Sequence, residues 1–480
     1  MSLSHISRFV LWGSVGFIGG VGLGSFFVIS IDMTLFIIAI ISVGAIFIFL
    51  RNTWLWCFVF FCLMFGMGTL VIDKSLREIH YIEEGVGRTE FGVAKVIRNT
   101  VQKGWNVRVT LRYENGLTVI LKDEKYTELV YGSVVNLRCE TSLPEVYNDF
   151  DYHKYLVMTG VDYICSDFVY EIVGYEPTVL SNLAQFRLRM ESIVNNIIAA
   201  PQAALANGLL FGGSDRLSEN LQDKFAKTGM THIVAVSGYN VSVIVVVVMS
   251  FTIFMGAHRR YAAWVAIIGV IFFVALIGFP SSGVRAAIMG ILVLIAAMYG
   301  RVSHAYGAIF LTAAIMIVFN PLLLRYDVGF QLSFLATLGI VSIYPLLEWC
   351  FVKRKAAFGI VDVLLLTVSV QLFVMPIIAY HFHTISLVSL LANVLVLPII
   401  PLTMLFVFFT VVTSFVFYPG ALFFGWIAYF LLQYEIFVIT VLARFPWGSM
   451  VVENVSILWF IGYYIIVGVV VYLLNLLHNP

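Results

Sequence analysis

A run of polar residues opens one of the most apolar segments of the chain, THIVAVSGYNVSVIVVVV at residues 231–248. Its hydroxyl, amide and imidazole groups could hydrogen-bond to a ligand or to a neighbouring helix, and on a helix Ser237 and Asn240 would share one face. Only 14 residues, 243–256, follow before a pair of arginines, which is too few to cross a bilayer. The polar half is therefore predicted to lie within the membrane, facing protein or a water-filled cavity.

Similar polar interruptions recur in other apolar segments. Arg285 stands about five residues into a helix among glycine and alanine, where it could reach the headgroups or face the path of an anion. Glu435 lies deeper and needs a partner, for which Arg285 is the candidate. These residues could simply join helices, but their recurrence favours a polar lining. The candidate lining residues are His232, Ser237, Gly238, Asn240, Arg285, Gln331 and Asn393.

Catalytic and metal-binding patterns are not recognisable in the sequence. Ser237 lacks the GxSxG elbow of a serine hydrolase, and His232 would lie on a different helical face. His381 and His383 form an HxH pair without the DH of a metallo-β-lactamase. The GxxxxGK[ST] loop that binds ATP is absent as well. We expect no enzymatic activity, no cofactor and no bound metal.

Composition identifies a polytopic α-helical membrane protein, because 61% of the 480 residues are hydrophobic and only 11% are charged. We predict about twelve transmembrane helices. The apolar runs are 9–30, 33–50, 53–72, 230–256, 261–279, 281–300, 303–319, 328–347, 359–380, 385–418, 420–443 and 455–477. The segment 385–418 is too long for one helix and contains two prolines, which predicts a break. Gly16, Gly20 and Gly24 predict a close helix contact in the first run.

Basic residues predict the orientation, since short cytoplasmic loops retain lysine and arginine. The cytoplasmic set is Arg8, Arg51, Arg259, Arg260, Arg301, Lys353, Arg354 and Lys355. The polar stretch from residue 73 to about 200 then lies outside, and it holds 14 of the 28 basic and 18 of the 27 acidic residues. This stretch is predicted to contain a soluble extracytoplasmic domain.

Five strand-like segments in this stretch predict a small β-barrel of the OB type, with a hairpin at Asn115–Gly116 and one helix near 150–158. The predicted organisation is three N-terminal transmembrane helices at 1–72, the OB-like domain at 73–180, amphipathic or interfacial helices at 181–229 and a transmembrane channel domain at 230–480.

Basic and aromatic residues early in the barrel could bind nucleic acid, although residues 89–172 contain nine basic and twelve acidic residues. An evenly solvated surface is an equal alternative. The candidate DNA-binding residues are Lys95, Arg98, Trp105, Arg108 and Arg112. Cys139 and Cys165 both lie on predicted strands, and an oxidising exterior would permit a disulfide worth about 3 kcal/mol.

Five ordered motifs within residues 205–475 resemble the competence domain of the ComEC family of inner-membrane DNA uptake channels. They are GLLFGGSDRL, GMTHIVAVSGYNVSVI, SSGVRAAIMG, GFQLSFLATLGI and SLVSLLANVLVLPIIPL. The resemblance implies passage of one DNA strand into the cytoplasm, with lipids and single-stranded DNA as partners. It further implies a separate DNA receptor, a nuclease, and a cytoplasmic motor or single-strand-binding protein; a homo-oligomer is a candidate assembly.

Two departures from the family qualify this expectation. Asn240 stands where the family often has histidine, so hydrogen bonding is favoured over proton or metal chemistry there. Many members also carry a metallo-β-lactamase-like domain after the last span. We expect its nuclease role to fall to a separate protein, with a degenerate chain as the alternative. The alternatives are a secondary transporter of a small anion, which could also use Arg285 and broken helices, and an intramembrane hydrolase.

Overall fold

The computed structural model describes residues 3–27, 53–98, 101–103, 106–123, 129–144, 151–213, 217–234, 238–299, 305–351, 360–452 and 456–478. The chain divides into two compact units. The first consists of Met1–Ala184 and Ile295–Gln331, and the second of Gln185–Leu294 and Leu332–Pro480.

Helices predominate in the described residues. They are α1 (Leu3–Phe26), α2 (Thr53–Glu83), α3 (Tyr152–Met158), α4 (Val179–Ile197), α5 (Gln202–Phe211), α6 (Glu219–Lys227), α7 (Thr231–Val234), α8 (Gly238–Phe254), α9 (Arg259–Leu276), α10 (Ser281–Met298), α11 (Ala305–Phe319), α12 (Leu323–Tyr326), α13 (Val328–Phe351), α14 (Ile360–Phe382), α15 (Ser389–Val396), α16 (Ile400–Ser414), α17 (Tyr418–Leu442) and α18 (Ile457–His478).

Seven of the described helices are long and apolar enough to cross a membrane, or eight if the bent pair α15 and α16 forms one span. Four further apolar helices, α5, α8, α11 and α18, are shorter, with apolar lengths of 10–17 residues. The predicted run 33–50 lies outside the described residues. The chain is thus a multi-helix membrane protein, while the predicted number of about twelve spans is not confirmed.

The predicted interruption of segment 385–418 is confirmed. Helices α15 and α16 meet at a bend of 48°. Pro398 lies between them, and Pro401 occupies the first turn of α16, where its missing N–H costs no helical hydrogen bond. The two prolines therefore end one helix and start the next.

Glycines bring α1 and α2 of the first unit into backbone contact. A Cβ atom added at Gly16 or Gly20 would collide with the carbonyl oxygen of Phe61 or Phe65 on α2. On the opposite helix, one added at Gly68 would collide with the carbonyl oxygen of Phe17. The predicted close contact of the glycine face is confirmed, because only hydrogen side chains allow this approach.

The β structure of the first unit is a small closed barrel. Its strands are β1 (Thr89–Val96), β3 (Asn106–Tyr113), β4 (Thr118–Asp123), β5 (Ser133–Ser142) and β6 (Tyr163–Tyr175), with the short β2 (Val101–Lys103) beside β3. Strand β1 pairs with both β3 and β5, which closes the order β1-β5-β6-β4-β3. Only β4 and β6 run parallel among these pairs. The five predicted strand segments all lie in this barrel.

Alternating side chains fill the barrel, with Val96, Leu111, Val119 and Leu137 completely buried. The sulfur atoms of Cys139 and Cys165 are bonded, and their Cα atoms are 5.5 Å apart. This is the pair for which the sequence favoured a bridge. The bond joins β5 to β6 directly inside the core.

The second unit also contains a two-stranded ribbon that the sequence pattern did not predict. Strands β7 (Thr384–Ser386) and β8 (Ser449–Val451) pair in antiparallel register. Each has three residues, which is too short to show a period of two. The ribbon joins the loop before α15 to the loop after α17.

Candidate functional site

Asn240 links the first turn of α8 to the end of α5. Its side chain is 3% exposed, and its Nδ2 atom donates a hydrogen bond of 2.9 Å to the carbonyl oxygen of Leu209. Leu209 belongs to the last turn of α5, where carbonyls lack helical partners. Ser237 lies outside the described residues. The buried amide therefore fixes the polar start of α8 against another helix.

His232 lies apart from this buried contact. It is exposed on α7, and its Nδ1 atom is 3.0 Å from the carbonyl oxygen of Gly229. Gly229 has a φ of 69°, a left-handed conformation that glycine adopts readily, and it ends the turn after α6. His232 is thus placed at a helix connection and not on the buried face of α8.

Small residues bring α10 close to α8. A Cβ atom added at Gly238 would lie 3.8 Å from the Cβ atom of Ala286, at ordinary van der Waals distance. Ala286 and Ala287 pack in one buried cluster with Val241 of α8 and with Val270 of α9. The three helices are therefore joined at the ends that carry the polar motif residues.

Arg285 of α10 is buried within the protein at this junction. Its side chain is 6% exposed, and its guanidinium carbon lies 5.7 Å from the centre of the Phe334 ring. A cation over an aromatic face is stabilised by roughly 2 kcal/mol when both are desolvated. A buried cation beside an aromatic ring is suited to meet an anion that enters this junction.

Glu435 does not pair with Arg285, so that prediction is wrong. The carboxyl group is completely buried on α17, and its Oε1 atom lies 2.6 Å from Thr403 Oγ1 on α16. Its Oε2 atom is buried without a hydrogen-bond partner among the described residues. The sequence indicated that Glu435 lies deep and needs a partner, but it could not show which helices enclose the carboxyl group.

Gln331 and Asn393 have separate surroundings. In the first unit, Gln331 Nε2 donates hydrogen bonds of 2.9 and 3.0 Å to the carbonyl oxygens of Leu324 and Arg325 at α12. In the second unit, Asn393 of α15 is 8% exposed, and its Oδ1 atom has no hydrogen-bond partner among the described residues. Asn240, Arg285 and Asn393 thus share the second unit, whereas Gln331 belongs to the first.

Arg187 of α4 is a positioning residue that the sequence did not single out. Its guanidinium donates to the carbonyl oxygens of Ile277 at 2.8 Å and Gly212 at 3.3 Å, and to Glu191 Oε1 at 2.7 Å. Ile277 precedes α10 and Gly212 follows α5. Arg187 therefore fixes the connections that lead to Arg285 and Leu209. The i, i+4 Arg–Glu spacing in this amphipathic helix was its sequence signal.

Two of the candidate arginines on the barrel hold α3 in place. Arg98 donates to the carbonyl oxygen of Thr159 just beyond the helix, and Arg108 Nη1 lies 3.4 Å from the hydroxyl of Tyr152. Tyr152 and Tyr155 stack with ring centres 6.1 Å apart and planes 18° apart. The stacked tyrosine pair therefore lies beside two guanidinium groups.

The remaining basic candidates gather near Tyr131. Lys95 and Arg112 are cross-strand partners on β1 and β3. Burial raises the pKa of the Tyr131 hydroxyl, and the nearby charges of Lys95, Arg98 and Arg112 partly offset that rise. Lys95 also forms an ion pair of 2.8 Å with Glu176. Trp105 lies outside the described residues.

The three tyrosines of this barrel surface, Tyr131, Tyr152 and Tyr155, were not among the predicted residues. Tyr152 and Tyr155 have a spacing of three in YHKYLVM, which places both on one side of a helix and could have indicated the pair. Within the described ranges, no three His, Cys, Asp or Glu side chains come together as a metal site would require.

These features define the class of protein. The chain is a multi-pass membrane protein with a bundle of apolar helices, a buried arginine and a buried carboxyl group, and it also forms a disulfide-bonded barrel. The chain belongs to the competence protein family, whose profile matches residues 209–477. This family is implicated in DNA uptake for transformation. The matched range contains α8, α10, α15 and α17 and therefore all the buried polar groups of the second unit described above, apart from Arg187.

The chain is also similar to a protein named ComE operon protein 3 from Bacillus subtilis (strain 168), with 25% identity over 249 residues. The match covers 52% of this chain and 31% of that relative, so the chain spans less than a third of the relative's length in this comparison. No solved structure matches the chain.

Proposed function

We propose that the protein conducts single-stranded DNA across the cytoplasmic membrane during natural transformation. The observation that carries this proposal is the junction of α8 and α10 inside the competence-family region, where Arg285 is 6% and Asn240 is 3% exposed. An ionised side chain inside a membrane domain is costly unless it serves a pathway or a partner. A fixed cation next to buried amide groups suits a chain of phosphates.

The chemistry of the proposed path is electrostatic and involves no bond making. The guanidinium of Arg285 attracts a phosphate group, and Asn240 keeps the end of α5 beside the start of α8. Asn393 adds a buried amide oxygen that no described group satisfies, and such a group can accept a hydrogen bond from a passing base. The energy that moves the DNA strand would be supplied by another protein, such as a cytoplasmic motor or a single-strand-binding protein.

The barrel would receive the strand outside the cell. Its sheet order inserts β6 between β4 and β5, out of chain order, and this supports assignment to the five-stranded Greek-key barrels of the OB type. Helix α3, with its tyrosine pair, follows β5 in the chain. The flanking arginines attract the backbone while the tyrosines stack bases, so the surface would hold single strands without sequence preference.

Helices α8, α11 and α18, together with the predicted run 33–50, would raise the eight candidate spans to about twelve in the inner membrane. The division into 1–72, 73–180, 181–229 and 230–480 stays a prediction, as does the extracytoplasmic side of the barrel. Proposed partners are single-stranded DNA, membrane lipids, a DNA receptor, a nuclease and the motor. The protein itself would not be an enzyme.

Import of labelled DNA tests the proposal. Duplex DNA labelled in one strand is supplied to cells, and the nuclease-resistant cytoplasmic label is counted. Arg285→Ala and Asn240→Leu are expected to lower import about tenfold or more, the effect of roughly 1.4 kcal/mol on a limiting step. Asn240→His retains a hydrogen-bonding group and is expected to restore much of the import.

Arg444→Ala is the matched control, because Arg444 is an exposed arginine at the end of α17. It is expected to import normally. Membrane abundance of every variant is measured by immunoblotting. Normal import by both Arg285→Ala and Asn240→Leu at unchanged abundance would show that the junction does not line the path.

A further inference from the structure

Glu435 is a buried acid without a counter-ion among the helices that enclose it. The helices α5, α15 and α16, which pack on α17, contain no charged residue, and Glu435 is the one charged residue within α17 itself. Helix α6 also touches α17, and its charged residues Glu219, Asp223, Lys224 and Lys227 are exposed or half-buried. Ile197, the last residue of α4, lies against Gly425 of α17.

Thr403 forms a hydrogen bond to one oxygen of this acid and leaves the other without a described partner. Thr403 Oγ1 lies 2.6 Å from Glu435 Oε1 and 3.3 Å from the carbonyl oxygen of Ile399. That carbonyl also accepts from the N–H groups of Leu402 and Thr403, both at 3.0 Å, so the single hydrogen of the threonine hydroxyl is free to go to Glu435 Oε1. The Oε2 atom has no described donor, and a proton on that oxygen leaves the Thr403 hydrogen bond in place.

The cost of ionisation points the same way. A carboxylate withdrawn from water without a charge partner is destabilised so strongly that such a group stays neutral instead. Here the Oε2 atom has no described hydrogen-bond donor, α5, α15 and α16 contain no cation, and the lysines of α6 are half-buried or exposed and form no ion pair with Glu435 among the described residues. The pocket is therefore built for the acid form of the side chain.

We propose that Glu435 and Thr403 form a proton-binding site that is occupied in this conformation and whose deprotonation loosens α5. Helix α5 packs against both α16 and α17, and Gln202 at its start donates a hydrogen bond to Gln433 of α17. The same helix ends at Leu209, the acceptor of Asn240. A charge on Glu435 would draw water between these helices and weaken the contacts that α5 makes.

Coupling of this site to DNA passage rests on the proposed function, but the site itself does not. The ligand is a proton, so occupancy can be measured on the purified protein in detergent. Loss of the proton would release α5 from α17 and thereby free the buried Asn240 contact. The contact between Asn240 of α8 and Leu209 of α5 would thus depend on the protonation of Glu435 on α17.

Dicyclohexylcarbodiimide, an apolar reagent that adds to protonated carboxyl groups, tests occupancy. The full-length protein is treated at about pH 6 and at about pH 9, and the adduct is located by peptide mass spectrometry. Glu435 is expected to be modified at the lower pH, with about a tenfold fall for each pH unit above its ionisation midpoint. Glu435→Gln keeps the shape of the side chain and is expected to abolish the adduct.

Asp327 is the matched control carboxyl. It is also buried, at 7% exposure, but its Oδ1 atom accepts a hydrogen bond from the Phe330 N–H at 3.1 Å, a backbone donor of the kind that the described residues do not give Glu435 Oε2. Asp327 is expected to stay unmodified at both pH values. Absence of the Glu435 adduct at about pH 6, or equal modification at both pH values, would overturn the proton site.

Hydrogen exchange of the α5 amides tests the coupling. After correction for intrinsic rates, exchange in α5 is expected to accelerate several-fold from about pH 6 to about pH 9 in the wild type and to stay constant in Glu435→Gln. Equal behaviour of the two proteins would refute the effect on α5. Neither measurement depends on DNA import, so failure of the proton site and failure of the proposed function are distinguishable.

Discussion

His153 occupies a buried position at the edge of the barrel where its charge would be costly. The side chain is 6% exposed on α3, with Nδ1 3.7 Å from Glu83 Oε1 of α2. Its Nε2 atom has no hydrogen-bond partner among the described residues. Burial lowers the pKa of His153 below its usual value of 6.5, and the carboxylates of Glu83, Asp151 and Asp162 only partly oppose this, while Lys154 adds to it.

Acidification is therefore expected to destabilise this part of the barrel. A histidine whose pKa is lowered by folding binds more protons when unfolded, so stability rises with pH and is lost as pH falls below about 6.5. Burial raises the pKa of Asp162. Protonation of Asp162 therefore increases stability as the pH falls, but it does so nearer the ordinary titration range of aspartate. Amide hydrogen exchange of residues 152–158, corrected for intrinsic rates, should quicken from about pH 7.5 to about pH 5.5.

His153→Gln is expected to remove this pH dependence, because glutamine does not titrate. His80→Gln is the matched control, since His80 is exposed in the last turn of α2 near Glu83 and Glu84. It should retain the wild-type response. An unchanged response in His153→Gln would assign the effect to another group.

Sequence reasoning identified polar residues but could not identify their partners. Asn240 was predicted as an intramembrane hydrogen-bonding residue, and it is buried and bonded to Leu209, 31 positions away in the chain. Glu435 was predicted to need a partner, and Thr403 is 32 positions away. Composition reveals that a group must be satisfied, whereas its partner depends on helix packing that leaves no periodic signal.

Among the helices, the α1–α2 contact makes the clearest prediction. Gly20→Ala would push a methyl group against the Phe65 carbonyl oxygen, and overpacking of this kind costs about 1–3 kcal/mol. The variant should unfold at a lower temperature in detergent than the wild type, with separation of α1 from α2 visible as faster exchange of residues 53–83.

Gly462→Ala in α18 is the control for helix propensity. An added Cβ atom at Gly462 meets nothing within 4 Å, so alanine should be neutral or stabilise the helix by about 0.5–1 kcal/mol. Equal melting temperatures for the two variants would mean that the glycine contact is not a rigid constraint.

Local patterns predicted elements well where the pattern was long enough. The barrel strands, the Asn115–Gly116 hairpin and the break in 385–418 all follow from alternation, turn residues and proline, which act over a few positions. Gly116 indeed has a φ of 92° between β3 and β4. The ribbon of β7 and β8 was missed because its pairing joins residues about 65 positions apart, and no local rule reports that contact.

For the whole molecule, charge alone would not explain the proposed DNA binding, because the net charge is +1. On that proposal, stacking would carry much of the affinity for single strands. Tyr152→Leu with Tyr155→Leu is expected to weaken binding of a fluorescent oligonucleotide roughly tenfold or more, since each lost stack costs about 1–3 kcal/mol. Anisotropy titrations of the full-length protein in detergent would measure this.

A second aromatic pair on the same barrel provides the control. Phe168 and Tyr170 stack on β6 with ring centres 6.4 Å apart but lie outside the predicted basic surface. Their replacement by leucine should leave affinity nearly unchanged. The dependence of the binding constant on salt concentration should be the same in both aromatic double variants as in the wild type. It should be weaker in Arg112→Ala, which loses a phosphate contact. Equal losses from both aromatic pairs would argue against a defined binding surface.

At this scale, composition was sufficient to identify the class, because 61% hydrophobic residues indicate a membrane protein. The ordered motifs were sufficient to identify the family, because the family profile covers the motif region. The number of spans was less accessible. Short apolar helices such as α5 and α11 differ little from spans in composition, and their status depends on what surrounds them.

The discontinuous first unit has a consequence for biosynthesis. Helix α1 contacts α11 only after the chain has continued from Glu83 to Phe319, and α1, α2 and α11 line an apolar groove of about 510 Å³. At roughly 5–20 residues per second, translation of the intervening segment takes on the order of 10–50 seconds. During that interval the α1–α2 pair must wait in the membrane with this face open to lipid or an insertase. Because of this order of synthesis, assembly of the first unit begins early in translation and is completed only after α11 has been made.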